Sequence, residues 1–158
     1  MIWLGWLIFL ALLTLFFEDQ IEKMVNPNKN ITSDANGNNS EVVLKRNRNG
    51  HYVAGGLING INVTFIVDTG ASDISVPAGL AKELGLEKGS AIRYLTANGS
   101  VLGHRTMLNK VQLGGIVIND VRGGINPGMR GRHVLLGMTF LKQLEMIQRG
   151  DELTLRSY

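Results

Sequence analysis

Asp68 closes an apolar run, Phe65-Ile66-Val67, and is followed by Thr69-Gly70-Ala71-Ser72. A carboxyl at the end of a buried strand lies at the edge of a core, partly desolvated, in the kind of surroundings that suit proton transfer. Gly70 lets the chain turn sharply beside it with no Cβ in the way. Thr69 offers a hydroxyl that can lock the loop by a hydrogen bond. The competing reading is a simple turn in which the Asp68 side chain bonds a nearby backbone N–H, which many Asp-x-Gly triplets form. Acid–base attack of water on an amide needs a second carboxylate, and the chain contains no second Asp-Thr-Gly.

Other reactive groups make weaker cases. His51, His104 and His133 lack the spacing of a metal site, and no cysteine or carboxylate cluster joins them, so no metal and no cofactor is expected. Ser72 and Ser75 lie near Asp68, yet no histidine is close in sequence to activate either. The glycine-rich stretch GGINPGMRGR, 123–132, lacks the Lys-Ser/Thr of a phosphate-binding loop and reads as a loop. Lys45-Arg46-Asn47-Arg48 and Arg130-Gly131-Arg132 read as a solvated hairpin and loop. With a net charge of +3 and dispersed basic residues, no nucleic-acid partner is expected.

The elements that must position Asp68 follow from texture. A chain of 158 residues accommodates one compact domain and an appendage, and without cysteine it folds by packing alone. Residues 2–17, IWLGWLIFLALLTLFF, are uncharged and suggest a membrane segment. At 1.5 Å per residue they span ~24 Å against a ~30 Å hydrocarbon core, so a spanning helix would be short. No Lys or Arg precedes them, which favours an uncleaved anchor over a signal peptide. The expected organisation is a transmembrane anchor with its helical extension over 1–25, a flexible Asn-rich linker over 26–40, and a folded domain over 41–158. Short β-rich runs fill that domain. They are separated by turn pairs at Asn49-Gly50, Asn59-Gly60, Asn98-Gly99 and Gly114-Gly115, and interrupted by short helices at PAGLAKEL (77–84) and MTFLKQL (138–144). LINGINVTFIVD and LGGIVINDVRG lay out the same order of apolar residue, Gly turn and β-run.

Taken together, three stretches resemble the retropepsin-like aspartic proteases, the group of retroviral proteases and single-lobed, membrane-anchored bacterial relatives. Phe65-Ile66-Val67-Asp68-Thr69-Gly70-Ala71-Ser72 is similar to the family's active-site loop. Ala97-Asn98-Gly99-Ser100 falls where the family has its flap hairpin. Leu135-Leu136-Gly137 is similar to its second apolar-Gly motif, which leads into a short helix. The resemblance covers about residues 41–158. It implies an all-β, single-lobe acid-protease barrel with one or two short helices, preceded here by the N-terminal transmembrane helix. It also implies a homodimeric aspartic endopeptidase in which Asp68 of two chains share a water, needing no cofactor, with a protein or peptide as substrate. Thr69 would bond across the two-fold axis. Ser72 departs from the acidic residue of the retroviral members, and Asp73 follows it.

A non-catalytic peptide-binding or scaffold module with the same fold is the alternative. Membrane attachment through residues 2–17 would put the protein in a bacterial inner membrane with the protease domain on the periplasmic side. The linker is the expected place for self-processing, which would give a mature form starting within residues 30–45.

Overall fold

The computed structural model describes residues 2–29, 31, 40–96 and 99–158. Helix α1 (Ile2–Val25) takes up the N-terminal apolar run and its extension. It stops before Asn26-Pro27, because proline disfavours helical geometry in the residue before it and has no N–H to continue the ladder. The helix keeps its large side chains in the open: Trp3 is 83% and Phe16 60% exposed. No helix among the described residues is long and apolar enough to cross a membrane. The expected transmembrane anchor is therefore not shown: the uninterrupted apolar stretch of α1 ends at Phe17, short of a bilayer core.

The domain is built of strands β1 (Glu41–Lys45), β2 (Val53–Ile58), β3 (Ile61–Val67), β4 (Ile74–Pro77), β5 (Ala91–Thr96), β6 (Gly99–Leu113), β7 (Ile116–Asn126), β8 (His133–Leu136), β9 (Leu144–Arg149) and β10 (Glu152–Ser157). Helix α2 (Ala78–Ala81) lies between β4 and β5, and α3 (Met138–Leu141) between β8 and β9. Seven strands form one sheet in the order β2-β3-β8-β4-β7-β6-β5. The sheet curls into a barrel where Leu57 and Ile58 of β2, at one end, pair with Gln112 and Val111 of β6, the strand next to the other end. The other sheet, β1-β10-β9, is antiparallel. At its centre Arg156 bonds Glu41 on one neighbour at 2.6 Å and Glu145 on the other at 3.2 Å, a cross-strand pairing of opposite charges.

Turn chemistry explains the hairpins. Asn59 (φ 51°) and Gly60 (φ 83°) both take left-handed geometry between β2 and β3, the pair of positive φ values that a type I′ turn demands. Gly114 (φ 56°) serves the β6–β7 hairpin, so the two similar stretches fold as two similar hairpins. The C-terminal hairpin turns at Gly150 (φ 58°). Both expected helices are only one turn long: the first unwinds into a turn ended by Gly85 (φ 67°), and β9 starts at Leu144 where the second was to continue. Strand β7 runs beyond Val121 to Asn126 because β4 pairs along it in parallel, Ile74 to Gly123 through Pro77 to Asn126. Phe65, Ile74, Leu108, Leu136 and Phe140 are fully buried between these layers.

The expected linker falls largely outside the described residues. Its start, however, is held: Asn28, 7% exposed, forms an isolated parallel bridge with Ala54 of β2.

Candidate active site

Strand β3 is alternately buried on the barrel face (Val63, Phe65) and ends at Val67, in register with Leu136 of β8. The Asp68 N–H donates to the Leu136 carbonyl at 3.2 Å, extending that parallel ladder by one residue, and the chain then turns out of the sheet. The Gly70 N–H donates to Asp68 Oδ1 at 2.9 Å, and the Ala71 N–H to the Asp68 carbonyl at 3.2 Å. The side-chain-to-backbone turn is formed, and it leaves a half-buried Asp68 with one carboxyl oxygen held by a backbone donor. A Cβ on Gly70 would lie 3.2 Å from that oxygen, so glycine keeps the carboxyl uncrowded.

The outgoing side of the loop is fastened to α3. The Met138 N–H donates to the Ala71 carbonyl at 2.8 Å, and the Thr139 N–H to the Ser72 carbonyl at 3.1 Å. Gly137 between them is buried, and a Cβ there would run into the carbonyl oxygens of Asp73 and Ala71, the latter at 2.6 Å. Leu136 and Gly137 therefore lie directly against Asp68 and Ala71, while Leu135 pairs with Ile66 of β3 and Ser75 of β4. Thr69 and Ser72 are exposed.

Thr139 fastens the loop, and sequence reasoning passed it over. Its Oγ1 accepts from the Ile74 N–H at 3.2 Å and donates to the Arg122 carbonyl at 2.8 Å, so one hydroxyl ties α3, β4 and β7 together. It is 6% exposed. Its signal was its place, two residues after Gly137. Asp73, at the loop's end, pairs with Arg122 Nε at 3.1 Å, with its side chain 13% exposed.

The residues expected to form a flap fall at the β5–β6 hairpin. Thr96 pairs with Gly99, whose φ of 107° requires glycine, and Ser100 is exposed beyond it. Ala97 and Asn98 lie outside the described residues. Tyr94 of β5 lays its ring against Gly103 and Gly124, where a Cβ on either would collide with it. Its buried hydroxyl finds no hydrogen-bond partner among the described residues. Burial holds this phenol above the ordinary tyrosine range; the charge of Asp73 adds to the effect and that of Arg105 opposes it.

Three of the remaining candidates have partners within the fold. Ser75 is buried, donating to Met129 Sδ at 3.2 Å and accepting from Asn126 Nδ2 at 3.4 Å. Arg46 packs over the Tyr52 ring and pairs with Asp151, while Arg132 forms a two-pronged bond with Glu83 that holds the glutamate below its usual range. Among the described residues no group of His, Asp and Glu is arranged to hold a metal.

Residues 54–143 match the family described as "gag-polyprotein putative aspartyl protease". An uncharacterized protein of a Sinorhizobium species, described by its position in the cobV 5′ region, is 36% identical over 132 residues, covering 80% of this chain and 55% of its own length. An uncharacterized protein of Rickettsia prowazekii is 32% identical over 121 residues, covering 75% and 52%. The chain spans about half the length of the curated relatives it matches. Among solved structures, a retropepsin-like aspartic protease from Rickettsia conorii superposes with a TM-score of 0.64 at 28% identity, over 80% of this chain and 94% of that one. The EIAV protease in an inhibitor complex superposes with a TM-score of 0.51 at 19% identity, over 63% and 92%, a likeness of fold.

Proposed function

Because the chain belongs to the retropepsin-like aspartic protease family, we propose that it is an aspartic endopeptidase whose site is completed by Asp68 of a second copy. One observation carries this reading. A single half-buried carboxyl is presented on a loop fastened on both sides, to β8 through its own N–H and to α3 through Ala71 and Ser72. Such fixing suits a group that must meet a reacting atom with little reorganisation. In the homodimer the two carboxyls share one proton, since like charges a hydrogen bond apart do not both ionise. One acts as base on a water that attacks the scissile carbonyl. The other donates its proton to the carbonyl oxygen. The exposed Thr69 is free to bond across the two-fold axis, and the β5–β6 hairpin closes over a peptide held in extended conformation.

The apolar side chains exposed along α1 support membrane attachment through residues 2–17, as a short or interfacial segment and not an established span. A bacterial inner membrane with the domain on its periplasmic side is part of this proposal.

The test is cleavage of a peptide library by the full chain in mild detergent from acid to neutral pH, beside Asp68→Asn. Cleavage by the wild type and none by the variant, in a dimeric sample, is expected. Undiminished cleavage by Asp68→Asn would sink the reading. Peptide binding with no turnover by a demonstrably dimeric sample would favour a non-catalytic peptide-binding module.

A further inference from the structure

The residues that directly follow α1 are seated in a place built for them. Asn28 Nδ2 donates to the Lys45 carbonyl at 2.9 Å and to the Val53 carbonyl at 2.7 Å, and the Lys45 N–H donates to Asn28 Oδ1 at 2.7 Å. The Gly55 N–H donates to the Asn28 carbonyl at 3.1 Å. Every partner is a backbone group of β1 or β2, at the seam between the small sheet and the open edge of the barrel. Just before it, Asn47 Nδ2 donates to the Val25 carbonyl at 3.0 Å, which joins the end of α1 to the β1–β2 loop. Just after it, Ile31 packs on the domain's core beside Gly114. The receiving surface is shaped by glycine, for a Cβ on Gly55 would stand 2.6 Å from the Lys29 carbonyl oxygen.

A side-chain amide that completes two sheets acts as a piece of the fold, not as a passing contact. Taking it away strands the N–H and C=O of Lys45 and the Val53 carbonyl, backbone groups that carry a penalty when left unpaired away from water. We propose that residues 25–29, with Ile31 beyond them, are a strap docked in a segment-binding site on the β1–β2 seam, and that this site holds α1 to the domain independently of the covalent connection through 32–39. A cut in that connection then leaves the two parts together, so processing there does not by itself free the domain from its N-terminal helix. This inference rests on the seam alone and does not require the chain to be a peptidase.

The experiment uses the full chain, tagged at its N-terminus, with the recognition sequence of a site-specific protease inserted between Asp34 and Ala35. After complete cutting in non-ionic detergent, the tagged fragment is captured and release of the domain is followed. The domain is expected to stay with the helix in the wild type, and to leave roughly tenfold or more faster in Asn28→Ala, which loses the amide's hydrogen bonds. Gly55→Ala, which obstructs the strap from the domain side, is expected to act likewise, and it stands in if Asn28→Ala does not fold. Equal retention by the wild type and both variants would overturn the proposal, as would immediate release of the wild-type domain. In the uncut chain, hydrogen exchange at the Lys45 amide is expected to be slow, and rapid exchange there would overturn it as well.

Discussion

The backbone N–H of Met138 donates to the carbonyl oxygen of Ala71 at 2.8 Å. Through this bond, two motifs almost seventy residues apart in sequence become one unit, with the loop that carries Asp68 leaning on the first turn of α3. The Thr139 to Ser72 bond repeats the contact one residue on, and the absent Cβ of Gly137 lets the two backbones approach. Predictions follow from treating loop and helix as one piece.

If each site is made from two Asp68 carboxyls, an inactive partner poisons the active one. Wild type mixed with an equal amount of Asp68→Asn, and allowed to exchange subunits, should retain about a quarter of the activity that the same total of wild type would show, as random pairing in a two-fold dimer requires. Loss of only half, the result for independent monomers, would count against the shared site.

Gly137→Ala should be strongly destabilising. The added methyl has only backbone to displace, the carbonyls of Ala71 and Asp73, and overpacking of this kind costs about 1–3 kcal/mol or more. Urea unfolding of the variant measures it, and an unchanged midpoint would refute the close approach.

Thr139→Val keeps the shape of the side chain while removing its hydroxyl. The Ile74 N–H and the Arg122 carbonyl each lose a partner, one of them in a buried setting, which should lower stability by about 1–3 kcal/mol. If the hydroxyl positions the loop as well, Thr139→Ser, which restores the bonds without the methyl, should recover activity that Thr139→Val loses. Equal activity in the two variants would confine Thr139 to stability.

Tyr94→Phe removes a buried hydroxyl that lacks a partner among the described residues, so stability at neutral pH should hold or rise. The folded-state pKa of Tyr94 is raised, chiefly by burial. Its contribution is thus complete below the ordinary tyrosine range and is lost as pH rises through the folded value, because only the unfolded chain ionises freely. The phenylalanine variant should lose less stability on the alkaline side than the wild type. Parallel stability–pH curves for the two proteins would contradict the assignment.

Much of this architecture is legible in the residues themselves, for reasons of short range. Turn pairs such as Asn59-Gly60 declare positive φ, strand alternation declares a buried face, and Asp68-Thr69-Gly70 after an apolar run declares a carboxyl at a core edge; each depends only on neighbours along the chain. What depended on distant partners was not legible. Helix α3 stops after one turn because β9 takes over the chain at Leu144, and β7 runs on to Asn126 because β4 offers it a parallel partner. Asn28 sat in an Asn-rich stretch with too few apolar residues to announce a fold, yet the seam between two sheets gives its amide backbone partners on both sides. Thr139 looked like an ordinary helix residue until β4 and β7 converged on its hydroxyl. The sequence by itself determined which carboxyl stands at a strand end and what kind of loop carries it, since both follow from local conformational preference. Only the tertiary structure decided what holds that loop still, because the bonds that do so join residues that packing alone brings within reach.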